Sequence, residues 1–170
     1  MAGQLIQVAT ETVSSAVASV TLTGIDSDDV YMCAISNVGG SVDNQAVRSR
    51  FTVSGTADSS ANYDRAQKVL RSNTTFSNSS GTGNPATYNF TSSGTGTQEV
   101  ANAIYFMYNF NNASEYSFCT WEIVERDSSG NCNGSQGGGV LTVAQACDGI
   151  QFFMNSGNIT SGTFTLYKVV

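Results

Sequence analysis

The feature that most constrains this chain is its punctuation. Short segments rich in Val, Ile, Thr, Phe and Tyr alternate with clusters of Gly, Ser, Asn and Asp from one end to the other. β-Branched and aromatic side chains suit a pleated, half-buried surface, while glycine and short polar residues suit turns. Leu5 to Ala9 opens with a short apolar segment, and Ser14 to Ile25 carries Ala16, Ala18, Val20 and Leu22 at period two. Val30 to Val38, Ala46 to Ser54, Tyr116 to Val124, Val140 to Val143, Gly149 to Met154 and Thr163 to Val169 follow the same habit. Within Ala46 to Ser54, Val47, Phe51 and Val53 take one face while Arg48, Arg50 and Thr52 take the other, the pattern of a strand with one wet side. Little helix, no repeat of fixed period and about nine short strands predict an all-β fold, a β-sandwich or barrel. A single antiparallel β-sandwich of about 8–9 strands suits a jelly-roll-like arrangement, and the pattern leaves immunoglobulin-type topology open. At 170 residues this is one domain, with 1–12 as an N-terminal arm or first strand and 13–170 as the sandwich.

Three stretches depart from the pattern. In residues 60–71, Tyr63, Ala66 and Leu70 share a helical face, Asp64 and Lys68 are four apart, and Ser60 could cap, so helix and strand both stay open. Ser72 to Thr97 is Ser/Thr/Asn/Gly-rich, interrupted by Tyr88-Asn89-Phe90, and holds the only proline, Pro85, in a turn or loop context. Ser128 to Gly139, with Gly130, Gly134, Gly137, Gly138 and Gly139, reads as a loop tip.

Composition excludes several chemistries. There is no histidine, so neither a Ser-His-Asp or Cys-His centre nor a histidine-ligated zinc site is available. Charged residues are only 12% of the chain, and 23 Ser, 18 Thr and 15 Asn supply much of its polarity. A net charge of −6 with scattered basic residues argues against a nucleic-acid partner. No apolar run approaches the ~18 residues of a membrane span, and the start lacks the basic and apolar regions of a signal peptide. A chain of this kind is expected to be made in a reducing cytosol, which disfavours a Cys132–Cys147 disulfide and leaves the six Asn-x-Ser/Thr sequons unmodified. Those sequons, at Asn73, Asn78, Asn89, Asn112, Asn133 and Asn158, follow mostly from the abundance of Asn, Ser and Thr. Cys33 and Cys119, in apolar surroundings, read as buried small hydrophobes.

The acidic clusters offer no general acid–base pair. Asp26-Ser27-Asp28-Asp29 reads as a turn; it lacks the glycine and terminal glutamate of a calcium loop. Glu122 and Glu125, three apart, face opposite sides of a strand at its solvated end. Gly137-Gly138-Gly139 lacks the Gly-Lys-Ser/Thr ending of a phosphate loop. No catalytic residue, metal or cofactor is expected.

The positive signal is Ile104-Tyr105-Phe106-Met107-Tyr108, apolar without interruption, so both faces of that strand want cover. One face can enter the core, and the other needs a loop, a second layer or another subunit. The candidate assembly interface is therefore Ile104, Tyr105, Phe106, Met107 and Tyr108, together with Leu5, Ile6 and Val8 of an N-terminal arm that could add to a neighbour's sheet edge. Trp121, Tyr105 and Tyr108 are the possible glycan-stacking aromatics, with burial the favoured alternative.

The ending carries a more specific pattern: Gly149-Ile150-Gln151-Phe152-Phe153-Met154, then Asn155-Ser156-Gly157-Asn158-Ile159, then Thr160-Ser161-Gly162-Thr163-Phe164-Thr165-Leu166-Tyr167. It resembles the close of accessory virion proteins of tailed bacteriophages: an apolar strand, S-G-N-I-x-S-G-T-F, and a final L-Y-G. Ser19 to Ile25 followed by Tyr31, and the strand with Arg48 and Arg50, are similar to the same family's opening and middle. Lys168 departs from it, standing where glycine is common. The resemblance implies a jelly-roll-like sandwich used as decoration, head-fibre or tail-fibre module, commonly trimeric, and an extended conformation for 60–71. The expected role is a capsid decoration or cement protein, docked as a homotrimer on the major capsid or another virion protein. The alternative is a fibre module for host-surface glycan.

Overall fold

The computed structural model describes residues 3–88 and 93–170. The chain runs through β1 (Leu5–Val13), β2 (Ser19–Thr23), β3 (Tyr31–Gly40), β4 (Val47–Val53), β5 (Thr56–Ala57), β6 (Tyr63–Arg71) and β7 (Ser77–Asn84). It continues through β8 (Thr87–Tyr88), β9 (Ala101–Tyr108), β10 (Ser117–Arg126), β11 (Cys132–Leu141), β12 (Gly149–Met154) and β13 (Ile159–Val169). All pairing is antiparallel, in an 8-stranded sheet ordered β1-β13-β3-β9-β10-β11-β6-β7 and a 5-stranded sheet ordered β2-β12-β4-β5, with β8 also on β4.

The connectivity is that of a jelly roll. From β1 to β4 the chain alternates between the sheets, β4 and β8 pair within the small one, and β9, β12 and β13 alternate again. This places β1-β13-β3-β9 opposite β2-β12-β4-β8, the double Greek key of that architecture. The strand number exceeds the expected 8–9 because two excursions are themselves β. One, between β4 and β8, contributes β5, β6 and β7; the other, between β9 and β12, is the hairpin β10–β11. Stacked as β10-β11-β6-β7, they widen the large sheet beyond β9.

Aromatic side chains link the layers. Tyr105 of the large sheet meets Phe152 of the small one edge-on at 5.3 Å between centroids, and Phe152 meets Phe164 at 5.5 Å. Phe51 contacts both Tyr63 and Phe110, at 5.5 and 4.6 Å. Cys33 and Cys119 are buried here, and burial raises both thiol pKa values, that of Cys119 to about 12.

The choice left open at 60–71 closes in favour of the extended form, and other local expectations change. Residues 63–71 are strand, since β6 is held by β11 on one side and β7 on the other and cross-strand pairing outweighs a weak helical stripe. Ser77–Asn84, inside the stretch read as small-residue filler, is edge strand β7, though it contains no apolar side chain. The supposed loop tip at Ser128 to Gly139 is largely strand β11, a central member of the large sheet. Its glycines answer to close approach. A Cβ on Gly137 would lie 2.6 Å from the Ala66 carbonyl oxygen, and one on Gly139 would lie 3.4 Å from the Trp121 ring. Finally, Glu122 and Glu125 face opposite sides, as their spacing requires, but Glu125 is buried, not solvated; and Thr52, expected on a wet face, is covered, its hydroxyl donating to Asp148 at 2.6 Å. Asn89 and Phe90, with the sequon at Asn89, lie outside the described residues.

Lys168 has a specific job in the fold. Its ammonium donates to Ser27 at 2.8 Å, pairs with Asp29 at 2.8 Å and lies 6.0 Å from the Tyr31 ring centroid. The Tyr31 hydroxyl donates to Asp26 at 2.9 Å. The acidic bend Asp26–Asp29 is thus pinned to the last strand by the chain's own cation, and this is what fills the place where glycine was expected.

Candidate functional site

Strand β9 sorts the uninterrupted apolar run by parity. Tyr105 and Met107 are fully buried in the core, whereas Ile104 and Phe106 are 43% and 37% exposed on the outer face of the large sheet. Tyr108 shares that outer parity and is half-buried, its hydroxyl 3.4 Å from Thr120 Oγ1. Of the five residues expected at an interface, Tyr105 and Met107 are therefore corrected to core, and Ile104, Phe106 and Tyr108 remain on the surface.

The neighbouring strands extend this outward row. Phe106 is flanked by Met32 and Thr120, Ile104 by Ala34 and Glu122, and Phe118 by Tyr108 and Val140. Phe118 and Val124 are 42% and 51% exposed. A shallow concavity of ≈ 680 Å³ runs across the face between Tyr167, Ala34, Ile104, Val124 and Leu70. A second, of ≈ 560 Å³, lies between Phe118 and a floor of small residues, Ala66, Ser80, Gly81 and Gly138. Isolated exposed hydrophobes are ordinary; here Ile104 and Phe106 of β9 lie beside Phe118 and Val124 of β10 in one patch.

Charge on this face is sparse: Asp64 and Arg126 lie toward its ends, and the rest falls in one row. Glu122, Gln136 and Lys68 are consecutive cross-strand partners on β10, β11 and β6, with the Gln136 amide donating to Glu122 at 3.2 Å. Asp64 points toward the β7 edge, accepting from the Gly83 amide at 2.8 Å.

The N-terminal segment is built into its own molecule. Leu5 to Val13 pairs along β13, from Leu5 opposite Val169 to Val13 opposite Gly162. Leu5 and Ile6 are each 51% exposed, while Val8 is partly buried against the core. Strand β1 is one free edge of the large sheet and β7 the other.

Trp121 is 2% exposed, on the inner parity of β10 beside Tyr105, so the favoured reading, burial, holds, and the possible glycan-stacking role falls because its ring is removed from any external ligand. The same holds for Tyr105. The four cysteines are free thiols; Cys132 is exposed at the start of β11 and Cys147 is buried, its pKa raised to about 11 by burial. Among the described residues no three His, Cys, Asp or Glu side chains converge as metal ligands. The carboxylates of Asp26 and Asp29 are held below the usual range, Asp26 chiefly by the Tyr31 hydroxyl and Asp29 by Lys168.

The residues missed by sequence reading were Phe118 and Val124. Their parity in Ser117–Arg126 was legible, but Trp121 and Ile123 on the other parity compete for the same core, and only the packing decides between them. Comparison with protein-family models, with curated proteins and with solved structures finds no match to this chain.

Proposed function

We propose that this protein is a non-enzymatic structural component of a tailed-phage virion, a decoration or cement subunit that buries the outer face of its large sheet on assembly. The observation that carries the reading is the apolar patch formed by Met32, Phe106, Ile104, Phe118 and Val124 on a face with few charges. Burying such a face costs little charge desolvation, and several weak contacts per oligomer multiply into firm attachment. The virion setting and the three-fold assembly come from the resemblance of the Gly149 to Tyr167 ending. Burial of Trp121 weighs against the glycan-binding alternative.

Quantitative mass spectrometry of purified virions, followed by rebinding of the protein to shells stripped of it, tests the proposal. A high copy number and rebinding that Phe106→Asp abolishes support it. A handful of copies at the tail supports the fibre role instead, and absence from the particle overturns both.

A further inference from the structure

We infer that the outer face of the large sheet pairs with the same face of a second copy, about a two-fold axis running along β11 above Gln136. The inference rests on the structural reading above and names the partner of its apolar face. Stacked sheets lie ≈ 10 Å apart and neighbouring strands ≈ 4.8 Å apart, so an axis along β11 sets β10 of one copy over β6 of the other, and β9 over β7.

Three independent features match under that single operation. Glu122 and Lys68 flank Gln136 in one row, so each glutamate comes to face the partner's lysine, twice over. Phe106 lies in the row Phe106, Thr120, Gly138, Ala66 and Ser80, so its exposed ring comes over the partner's Ser80 and Ala66. That is the small-residue floor of the ≈ 560 Å³ concavity, a ridge meeting a groove. Val124 and Leu70 both neighbour Gly134, one row further along, and they stack on each other across the axis. Moving the axis to β10 would instead oppose Glu122 to its own copy, which like-charge repulsion disfavours.

The strand β11 is suited to lie at the axis. Between its ends Cys132 and Val140, its outer face offers Gly134, Gln136 and Gly138, so one side chain projects from the middle of the strand, where the two sheets come nearest. Five strands of about eight residues present roughly 650 Å² in projection, near the ≈ 800 Å² per partner of a standard stable interface. The contact is isologous and closes on itself. It yields dimers, and where three-fold contacts are also made it joins trimers in pairs.

Analytical ultracentrifugation of the full chain over a wide concentration range, with Glu122→Lys, Lys68→Glu, the double exchange and Ala66→Trp, tests this. Both charged residues and Ala66 are exposed, so the variants keep the fold, which circular dichroism verifies. The expected result is a dimer of the wild type that each single charge reversal weakens at least about tenfold and the double exchange restores. Ala66→Trp, which fills the groove, leaves monomer. A wild type that is monomeric throughout, or an oligomer indifferent to both charges, overturns the pairing. If the monomeric wild type still rebinds stripped shells through Phe106, the pairing fails while the structural role stands.

Discussion

Replacing Gly137 by alanine tests whether the Gly-rich segment is a strand or a loop. In the structure Gly137 lies between Trp121 of β10 and Gln67 of β6, and its added Cβ would sit 2.5 Å from Gln67 Cβ and 2.6 Å from the Ala66 carbonyl oxygen. Ordinary contacts need about 3.4 Å or more, so β6 must retreat by nearly an ångström or the β10–β11–β6 ladder must bend. Overpacking of this kind costs about 1–3 kcal/mol. A domain of this length loses about 2–4 °C of Tm per kcal/mol, so a cost of about 2 kcal/mol lowers Tm by about 4–8 °C. The control is the adjacent Gly138, whose Cβ would meet nothing nearer than the Cys119 carbonyl oxygen at 3.3 Å. Loss of glycine's freedom in the unfolded chain is worth about 0.4–1 kcal/mol and offsets most of that mild crowding, so Gly138→Ala stays near wild type. Thermal and urea unfolding, monitored by circular dichroism, measure both. A Gly137→Ala protein as stable as Gly138→Ala would refute the register and return the segment to a loop.

Other perturbations give distinct signatures. Trp121→Ala, which empties a buried site against Tyr105, costs about 3–5 kcal/mol in urea unfolding and leaves glycan-array binding unchanged from wild type. In native protein a chromogenic disulfide reagent titrates Cys132 alone; Cys33, Cys119 and Cys147 react only after unfolding, because burial both shields them and raises their pKa. Lys168→Gly lets the Asp29 carboxyl rise toward its ordinary value, as carboxyl chemical shifts in an NMR titration measure. A carboxylate with a lowered folded pKa adds stability above its unfolded pKa, and loses it as pH falls through the folded value. The wild type's advantage over Lys168→Gly is therefore full at neutral pH and closes below about pH 4.

Some of this protein is written in local chemistry. Alternation within Val47–Val53, Ser117–Arg126 and Gly149–Met154, with turn residues between, specifies strands one at a time, because side-chain parity on a pleated strand is a local property. The absence of histidine and the scarcity of charge are equally legible without a structure, and the first removes every His-dependent centre. The same holds for the apolar run at Ile104 to Tyr108, whose demand for two covered faces needs no structure to recognise.

Tertiary structure decided what parity and composition leave open. Gly137-Gly138-Gly139 carry no strand propensity, yet they lie in a central strand because β10 and β6 pair with them on both sides, and at Gly137 the backbones approach too closely for a Cβ. Ser77–Asn84 is a strand because β6 offers it an edge, and residues 63–71 are extended because β11 and β7 hold them on both sides. Which of Tyr105 and Phe106, or of Trp121 and Glu122, faces inward follows from the layer beneath them: Phe152 from the opposite sheet receives Tyr105 and leaves Phe106 outside. A sequence states that a strand has two faces, but non-local contacts assign one to the core and leave the other outside, because burial is a property of the assembled layers and not of any one segment.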